Sequence, residues 1–305
     1  MTPDVATELT AALAGAAQVY VGVSTSGGPH VTPELFTVAG GRIICMTAAP
    51  TVKSRRLRRH RSVACAIRSD TRCVSLVGRA TVIDPASPAT LLRAPRRAVT
   101  ASLDAAHFTA ANLVELSGAA VDLLTGRLGR PIPPHRVVII IEPQAAAITD
   151  RATVRSESGW AELSPAPSDA APAAGAGRAA ASRGRSELPD VAALPDGLAG
   201  LTSAGQTVVG WNRVDGTPLA FAAAWDHERA VATIAAELFD LIGAARASSA
   251  CAAFDAWSGF GPSGKQGLML RGTGHAVRVG TTMELRCTID RATYWRGTAT
   301  GSIGL

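Results

Sequence analysis

The chain has 305 residues, 47% of them hydrophobic and only 4% aromatic, with 30 Lys and Arg against 24 Asp and Glu for a net charge of +6. That length gives room for two ordinary domains with apolar cores, and the composition excludes a disordered chain. No apolar run reaches the roughly 18 residues of a membrane span, and residues 1–17 carry Asp4 and Glu8 where a secretion signal would be basic, so a soluble cytoplasmic protein is expected.

Residues 3–17 read as an amphipathic helix, after which the chain turns to short β-type runs. A strand over 19–24, the turn Ser26-Gly27-Gly28-Pro29, a strand over 31–38, the turn Ala39-Gly40-Gly41 and a strand over 42–47 make an antiparallel meander. Pro50 is a suitable entry to a helix over 51–59. Two more strands, 63–68 and 71–83, are joined by Ser69-Asp70, and Gly78 inside the second meets the need of a bulge or a close backbone approach. Over 86–126 the period lengthens to that of helices, with Leu113, Leu116, Val121 and Leu124 as the apolar positions, until Pro131-Ile132-Pro133-Pro134 stops them. The run 137–141 is the most β-like of the chain and extends to Ile148. From 156 to about 189 Ala, Pro, Gly, Ser and Arg dominate, as in a flexible linker.

The second half then repeats the first in degenerate form. Val209-Gly210 and Pro218 echo Val21-Gly22 and Pro29, residues 247–253 echo 61–67, and Leu270-Arg271-Gly272 answers Leu76-Val77-Gly78. The second copy lacks the helical insertion before its last strand, 283–295, and has a longer loop at 255–264. It also sets Glu237-Leu238-Phe239-Asp240-Leu241 where the first half has its helix over 51–59.

That helix opens the densest cationic stretch of the chain. Lys53, Arg55, Arg56, Arg58, Arg59 and Arg61 are six cations within residues 51–61, equal to the net excess of +6. Concentrated charge of this kind points to a localised anion, while a solvated face and a nucleic-acid patch are the competing readings. Lys53, Arg56, Leu57 and His60 share one helical face, so not every cation can reach one phosphate. Elsewhere the chemistry is sparse. The five cysteines form no C-x-x-C pair and the six histidines are dispersed, so no metal site is expected and the thiols read as small buried apolar groups. His30 beside its turn reads mainly as an exposed residue, Trp225-Asp226-His227 falls in a hairpin turn, and Tyr294 and Trp295 suit either core or groove. No catalytic triad, carboxylate pair or P-loop pattern occurs, so the catalytic residues stay unknown.

The Gly-Gly-Pro turn, the meander, the helix with Thr47, Thr51, Lys53, Arg55 and Leu57, the small-residue strand and the long strand centred on Gly78 together resemble the pyridoxamine 5'-phosphate oxidase-like family of flavin- and deazaflavin-binding split barrels. The resemblance covers 19–83 well, 137–149 fairly, and 207–295 only in outline. It implies a mainly β chain with α additions, built as two six-stranded antiparallel split barrels in tandem. The first spans 1–155 with a helical insertion at 86–130, a linker covers 156–195, and a degenerate second barrel spans 196–305. It further implies an FMN-binding oxidoreductase acting on a small organic substrate, with the cofactor in the groove between the barrels. A deazaflavin reductase and a non-catalytic flavin- or haem-binding protein are the alternatives. The cofactor phosphate would be held by Lys53 and Arg55, both expected at the barrel surface, with Arg56, Thr47, Thr51 and Ser54 around it, since helix amides and charge-assisted donors stabilise a dianion. The partners implied are a small-molecule substrate and an intrachain pseudo-dimer, with a homodimer left open and neither nucleic acid nor membrane. The acidic residues of the second copy's helix predict one such site per chain.

Overall fold

The computed structural model describes residues 3–68, 72–127, 135–150, 153–163, 197–257 and 261–305. Most of the expected linker, 164–195, lies outside them. In the first half, β1 (Val19–Thr25), β2 (Gly28–Glu34), β3 (Phe36–Ala39), β4 (Arg42–Ala48), β5 (Ser62–Arg68), β6 (Cys73–Ile83), β7 (Arg136–Asp150) and β8 (Thr153–Ser158) form one sheet. Its order is β2-β1-β5-β6-β7-β4-β3, with β8 paired to β7. The second half holds β9 (Gln206–Asn212), β10 (Pro218–Asp226), β11 (Val231–Ala235), β12 (Ala247–Trp257), β13 (Lys265–Val279), β14 (Thr282–Arg296) and β15 (Ala299–Gly304) in the order β11-β10-β9-β12-β13-β14-β15, and β11 also pairs with β14. The helices are α1 (Pro3–Ala14), α2 (Val52–Arg59), α3 (Pro88–Arg93), α4 (Pro95–Ala111), α5 (Leu113–Leu124) and α6 (Ala236–Leu241). Among the described residues no helix is long and apolar enough to cross a membrane.

The mainly β architecture matches the expectation, but the sheets hold eight and seven strands rather than six each. Length is the cause. β7 and β14 run for 15 residues each; β4 and β11 cover only their first parts, and β8 and β15 pair with the remainder. The strand expected over 31–38 divides at Leu35, because Val19 pairs with Glu34 whereas Phe36 pairs with Cys45, so the chain changes partner there. β8 and the buried Trp160 also carry ordered chain past position 156, where composition alone indicated linker.

The sheets share one pairing scheme. β1 lies between β2 and β5 as β9 lies between β10 and β12, and β4 pairs with β7 as β11 pairs with β14. Both long hairpins bulge at a glycine, between Val77 and Gly78 and between Arg271 and Gly272. A Cβ on Gly78 would lie 2.3 Å from the Glu142 carbonyl oxygen, and one on Gly272 would lie 1.8 Å from that of Thr288. With these glycines as anchors, Gly22 faces Ala64 as Gly210 faces Cys251. The sequence echo of 61–67 by 247–253 is therefore one residue out of register: the counterpart of Cys251 is Ala64, and that of Asp255 is Arg68. Small residues with little to distinguish them permit such a slip.

Contacts between the halves are reciprocal, as an approximate two-fold axis requires. A Cβ on Gly22 would sit 3.5 Å from Ala220 Cβ, and one on Gly210 would sit 2.6 Å from Val31 Cγ2. By the strand registers Val31 and Ala220 are counterparts, as Gly22 and Gly210 are. Equivalent residues also meet each other: Ser24 Oγ donates to Asn212 Oδ1 at 3.2 Å, and Arg68 pairs with Asp255 at 3.8 Å. Tyr20 donates its hydroxyl to the same Asp255. One apolar cluster runs across the junction, joining Tyr20, Val31, Ala64, Ala66 and Val77 to the second-half core around Trp211, Phe221 and Phe254.

On one face of the first sheet, Val19, Val21, Val23, Cys45, Leu57 and Cys65 pack with Leu9 and Leu13 of α1. The β7 run is apolar throughout because both its faces are covered: Ile139 and Ile141 point inward, while Val138 and Ile140 lie beneath Ala101 and Phe108 of α4. Full burial of each such side chain is worth about 1.5–3 kcal/mol. Asn112, between α4 and α5, fixes the insertion by donating to the Phe36 and Phe108 carbonyls at 3.1 and 2.9 Å. At the far end of α5, Asp122 accepts from the Ser263 amide and hydroxyl at 2.8 and 2.6 Å, tying the insertion to the second half.

Candidate cofactor groove

β2 carries its polar residues on an unusual side. Val23, Val21 and Val19 stand opposite His30, Thr32 and Glu34, and cross-strand partners share a face, so the polar line lies on the side of the apolar core of the first half. The alternate residues, Pro29 and Val31, are buried toward the second half. This line needs a partner, and α2 supplies it: Lys53, only 3% exposed, forms an ion pair with Glu34 and donates to Thr32.

α2 begins where its sequence dictates. Thr51, extended at φ −71° and ψ 158°, is the N-cap, its hydroxyl accepting from the Ser54 amide. Leu57 is driven into the apolar core of the first half, and Arg56, Arg58 and Arg59 occupy the last turn, where the helix field favours cations. Ser54 is fully buried and donates to the Ala49 and Thr51 carbonyls. Thr47 is buried on β4 opposite Val137. Arg55 is exposed, while Arg56 is half-buried and its Nε lacks a hydrogen-bond partner. Thr51, Lys53, Ser54 and Arg55 thus lie at the entry to α2, with Thr47 on the strand before it and Arg56 in the last turn of the helix. The structure corrects one expectation about them: Lys53 is an interior residue rather than a surface one, because the half-buried carboxylate of Glu34 draws it in.

The second half meets β2 through β12 and β13. Lys265 starts β13 with its ammonium 3.8 Å over the Trp257 ring. Burial pushes its pKa down, Glu34, Glu115 of α5 and Asp255 oppose that fall, and Arg136 adds to it. These couplings place Lys265 within electrostatic reach of β2, β7 and the helical insertion together. Arg271 donates from β13 to the Pro29 carbonyl at 3.2 Å and lies 3.4 Å from His30 Nδ1. His30 is therefore kept neutral, its pKa pushed to about 3 by burial first and then by Lys53 and Arg271. Burial raises the Cys65 thiol to about 12 and Cys45 well above its ordinary value, which leaves neither as a nucleophile. No cluster of metal-ligating side chains occurs among the described residues.

Thr32, Glu34, Lys265 and Trp257 escape a reading by motif. The alternation in Pro29-His30-Val31-Thr32-Pro33-Glu34 is plain in the sequence, but a polar alternate face ordinarily means solvent, and here it faces an apolar core.

In the second half the same positions are apolar. From Pro218 opposite Asn212, as Pro29 is opposite Ser24, His30, Thr32 and Glu34 correspond to Leu219, Phe221 and Ala223. Through the pairing of β4 with β7 and of β11 with β14, Thr47 corresponds to Ile234. At the second helical position Lys53 is answered by Glu237, whose carboxylate accepts from the Val154 amide at 3.4 Å.

No protein-family profile matches the chain, and no curated protein does. Solved structures do match, each over about half of it. General Stress Protein 26 from Bacillus anthracis is 14% identical with a TM-score of 0.30, over 47% of this chain and 92% of its own. A pyridoxamine 5'-phosphate oxidase-related, FMN binding protein from Nostoc punctiforme is 13% identical with a TM-score of 0.32, over 49% and 86%. An F420 reductase is 16% identical with a TM-score of 0.28, over 45% and 94%.

Proposed function

We propose that the chain is a tandem duplicate of a flavin-binding split barrel, an intrachain pseudo-dimer, and that it holds a single phosphate-bearing flavin in the groove at the entry to α2. The observation that carries this reading is the polar line Thr47, Thr32, Glu34 and Lys53, within electrostatic reach of Lys265, against its apolar counterpart in the second half. The residues fit the ligand. The cap leaves the Val52 and Lys53 amides for a phosphate, and the buried, unpartnered Nε of Arg56 and the exposed Arg55 supply charge-assisted donors. Lys53 and Ser54 act behind them, holding the helix entry in place.

When bound, the flavin supplies hydride or electron transfer, and the chain orients it and excludes water around it. The reaction class is oxidation or reduction of a small organic substrate by a cytoplasmic enzyme, with FMN and a deazaflavin as the two candidate cofactors. The internal satisfaction of Lys53 and Ser54 favours a second reading, a non-catalytic binder of flavin or haem. An absorbance spectrum of the purified protein, followed by titration with each cofactor, separates them. A flavin doublet marks FMN, a single deazaflavin band the other, and a Soret band haem. A protein that takes up none of the three sinks the proposal, and two equivalents per chain contradict the single site.

A further inference from the structure

At the opposite end of α2 from Lys53 lies a cleft of about 350 Å³ whose lining includes Arg58, Arg61 and Arg97, the hydroxyl residues Thr81 and Thr90, and an apolar floor at Leu57 and β6. We propose that it is a second, separate binding site, for the phosphate or diphosphate group of a small molecule. The three arginines come from three places, the last turn of α2, the residue before β5 and the first turn of α4, so the fold and not the local sequence brings them together. No Asp or Glu lines the cleft, and no ion pair among the described residues engages Arg58, Arg61 or Arg97. Asp84, just beyond the lining residue Ile83, is already bound by His135 Nε2 at 2.6 Å and the Ala86 amide at 3.2 Å.

Helix stability accounts for some of these cations but not all. Arg58 sits in the last turn of α2, where its charge suits the helix field. Arg97 sits in the first turn of α4, where a cation has the wrong sign, no acidic residue accompanies it, and the N-cap Ala94 contributes no side-chain bond. Three like charges converging on a concave surface with an apolar floor are suited to an anion with an organic portion. Arginine's planar fork matches phosphate oxygens, and the volume is that of a small-molecule site.

Calorimetric titration of the full chain with inorganic pyrophosphate, at ionic strength fixed with chloride, tests this. Saturable binding is expected, weakened about tenfold or more by Arg58→Ala or Arg97→Ala, since each removes a charge-assisted bond. Arg97→Lys is expected to retain an intermediate affinity. Arg291→Ala, exposed on β14 of the second half, is expected to leave this binding unchanged. The arginines are exposed, and a thermal unfolding curve matching the parent shows that the variants are folded. Absence of saturable binding overturns the proposal, as does full affinity in an Arg58→Ala, Arg97→Ala double variant. Loss of binding with Arg291→Ala alone also overturns it. So does RNA binding that falls steeply with salt in a protein that ignores pyrophosphate.

Discussion

The two halves share strand order, bulge position and reciprocal contacts, yet at four equivalent positions one half places His30, Thr32, Glu34 and Thr47 where the other places Leu219, Phe221, Ala223 and Ile234. The hydrogen-bonded frame of a split sheet thus tolerates either a polar or an apolar lining beneath the same strands. In the first half polarity on the core side is held by an ion pair from α2, and in the second the same space is filled by hydrocarbon. Site and filler are alternative uses of one position in the fold.

The largest effects should come from exchanging these linings. Phe221→Ala is expected to destabilise by about 3–5 kcal/mol through the cavity it leaves, whereas Thr32→Ala at the counterpart position should cost only about 1–2 kcal/mol. Denaturant midpoints measure both, and equal losses would abolish the contrast. Lys53→Met should also cost about 3–5 kcal/mol, because the carboxylate of Glu34 is left half-buried without its partner. Adding Glu34→Leu should recover most of that loss, since a lining like the second half's is then rebuilt. A double variant no better than the single one would show that the pair does more than neutralise itself.

These expectations depend on a pattern that the sequence disclosed unevenly. Strand positions were legible because β-branched runs and glycine turns such as Gly27-Gly28 and Gly40-Gly41 divide the chain, and Gly78 forecast its own bulge, whereas the sheet order, in which β2 and β4 are not neighbours, was not. The cationic helix was legible as a charge anomaly. The pairing of Lys53 with Glu34 was not, because the residues are far apart in sequence and a polar strand face carries no mark of which side it presents. β8 was hidden because the Thr153–Ser158 run is polar and its end, from 156, reads as linker until β7 offers it an edge. The register of β12 was missed by one residue for want of distinctive side chains in Ala250-Cys251-Ala252-Ala253.

A smaller test addresses what the halves share. Gly78→Ala and Gly272→Ala should each cost about 1–3 kcal/mol, since either new methyl group meets a backbone carbonyl across the bulge. Closely similar losses support the equivalence on which the comparison rests, and a difference of more than about 2 kcal/mol would undo it.

The last test is a matter of pH. His30 has a folded pKa near 3 against 6.5 ordinarily, so between these values the unfolded chain binds more protons than the folded one. Its contribution is complete above about pH 6.5 and is lost progressively as the pH falls toward about 3. His30→Leu, which imports the counterpart Leu219, should flatten that part of the decline when urea midpoints are compared from about pH 7 to about pH 4. An unchanged slope would assign the proton uptake to other groups.

The ion pair between Arg68 and Asp255 joins counterpart positions, one from each half. Were the halves made as separate polypeptides, two copies of the first would bring arginine against arginine at this place, and two copies of the second aspartate against aspartate. Only the mixed assembly meets with opposite charges, and only it gives Tyr20 the carboxylate that its hydroxyl bonds. The junction is thereby selective between self and non-self, and separated halves mixed in solution should sort into unlike pairs.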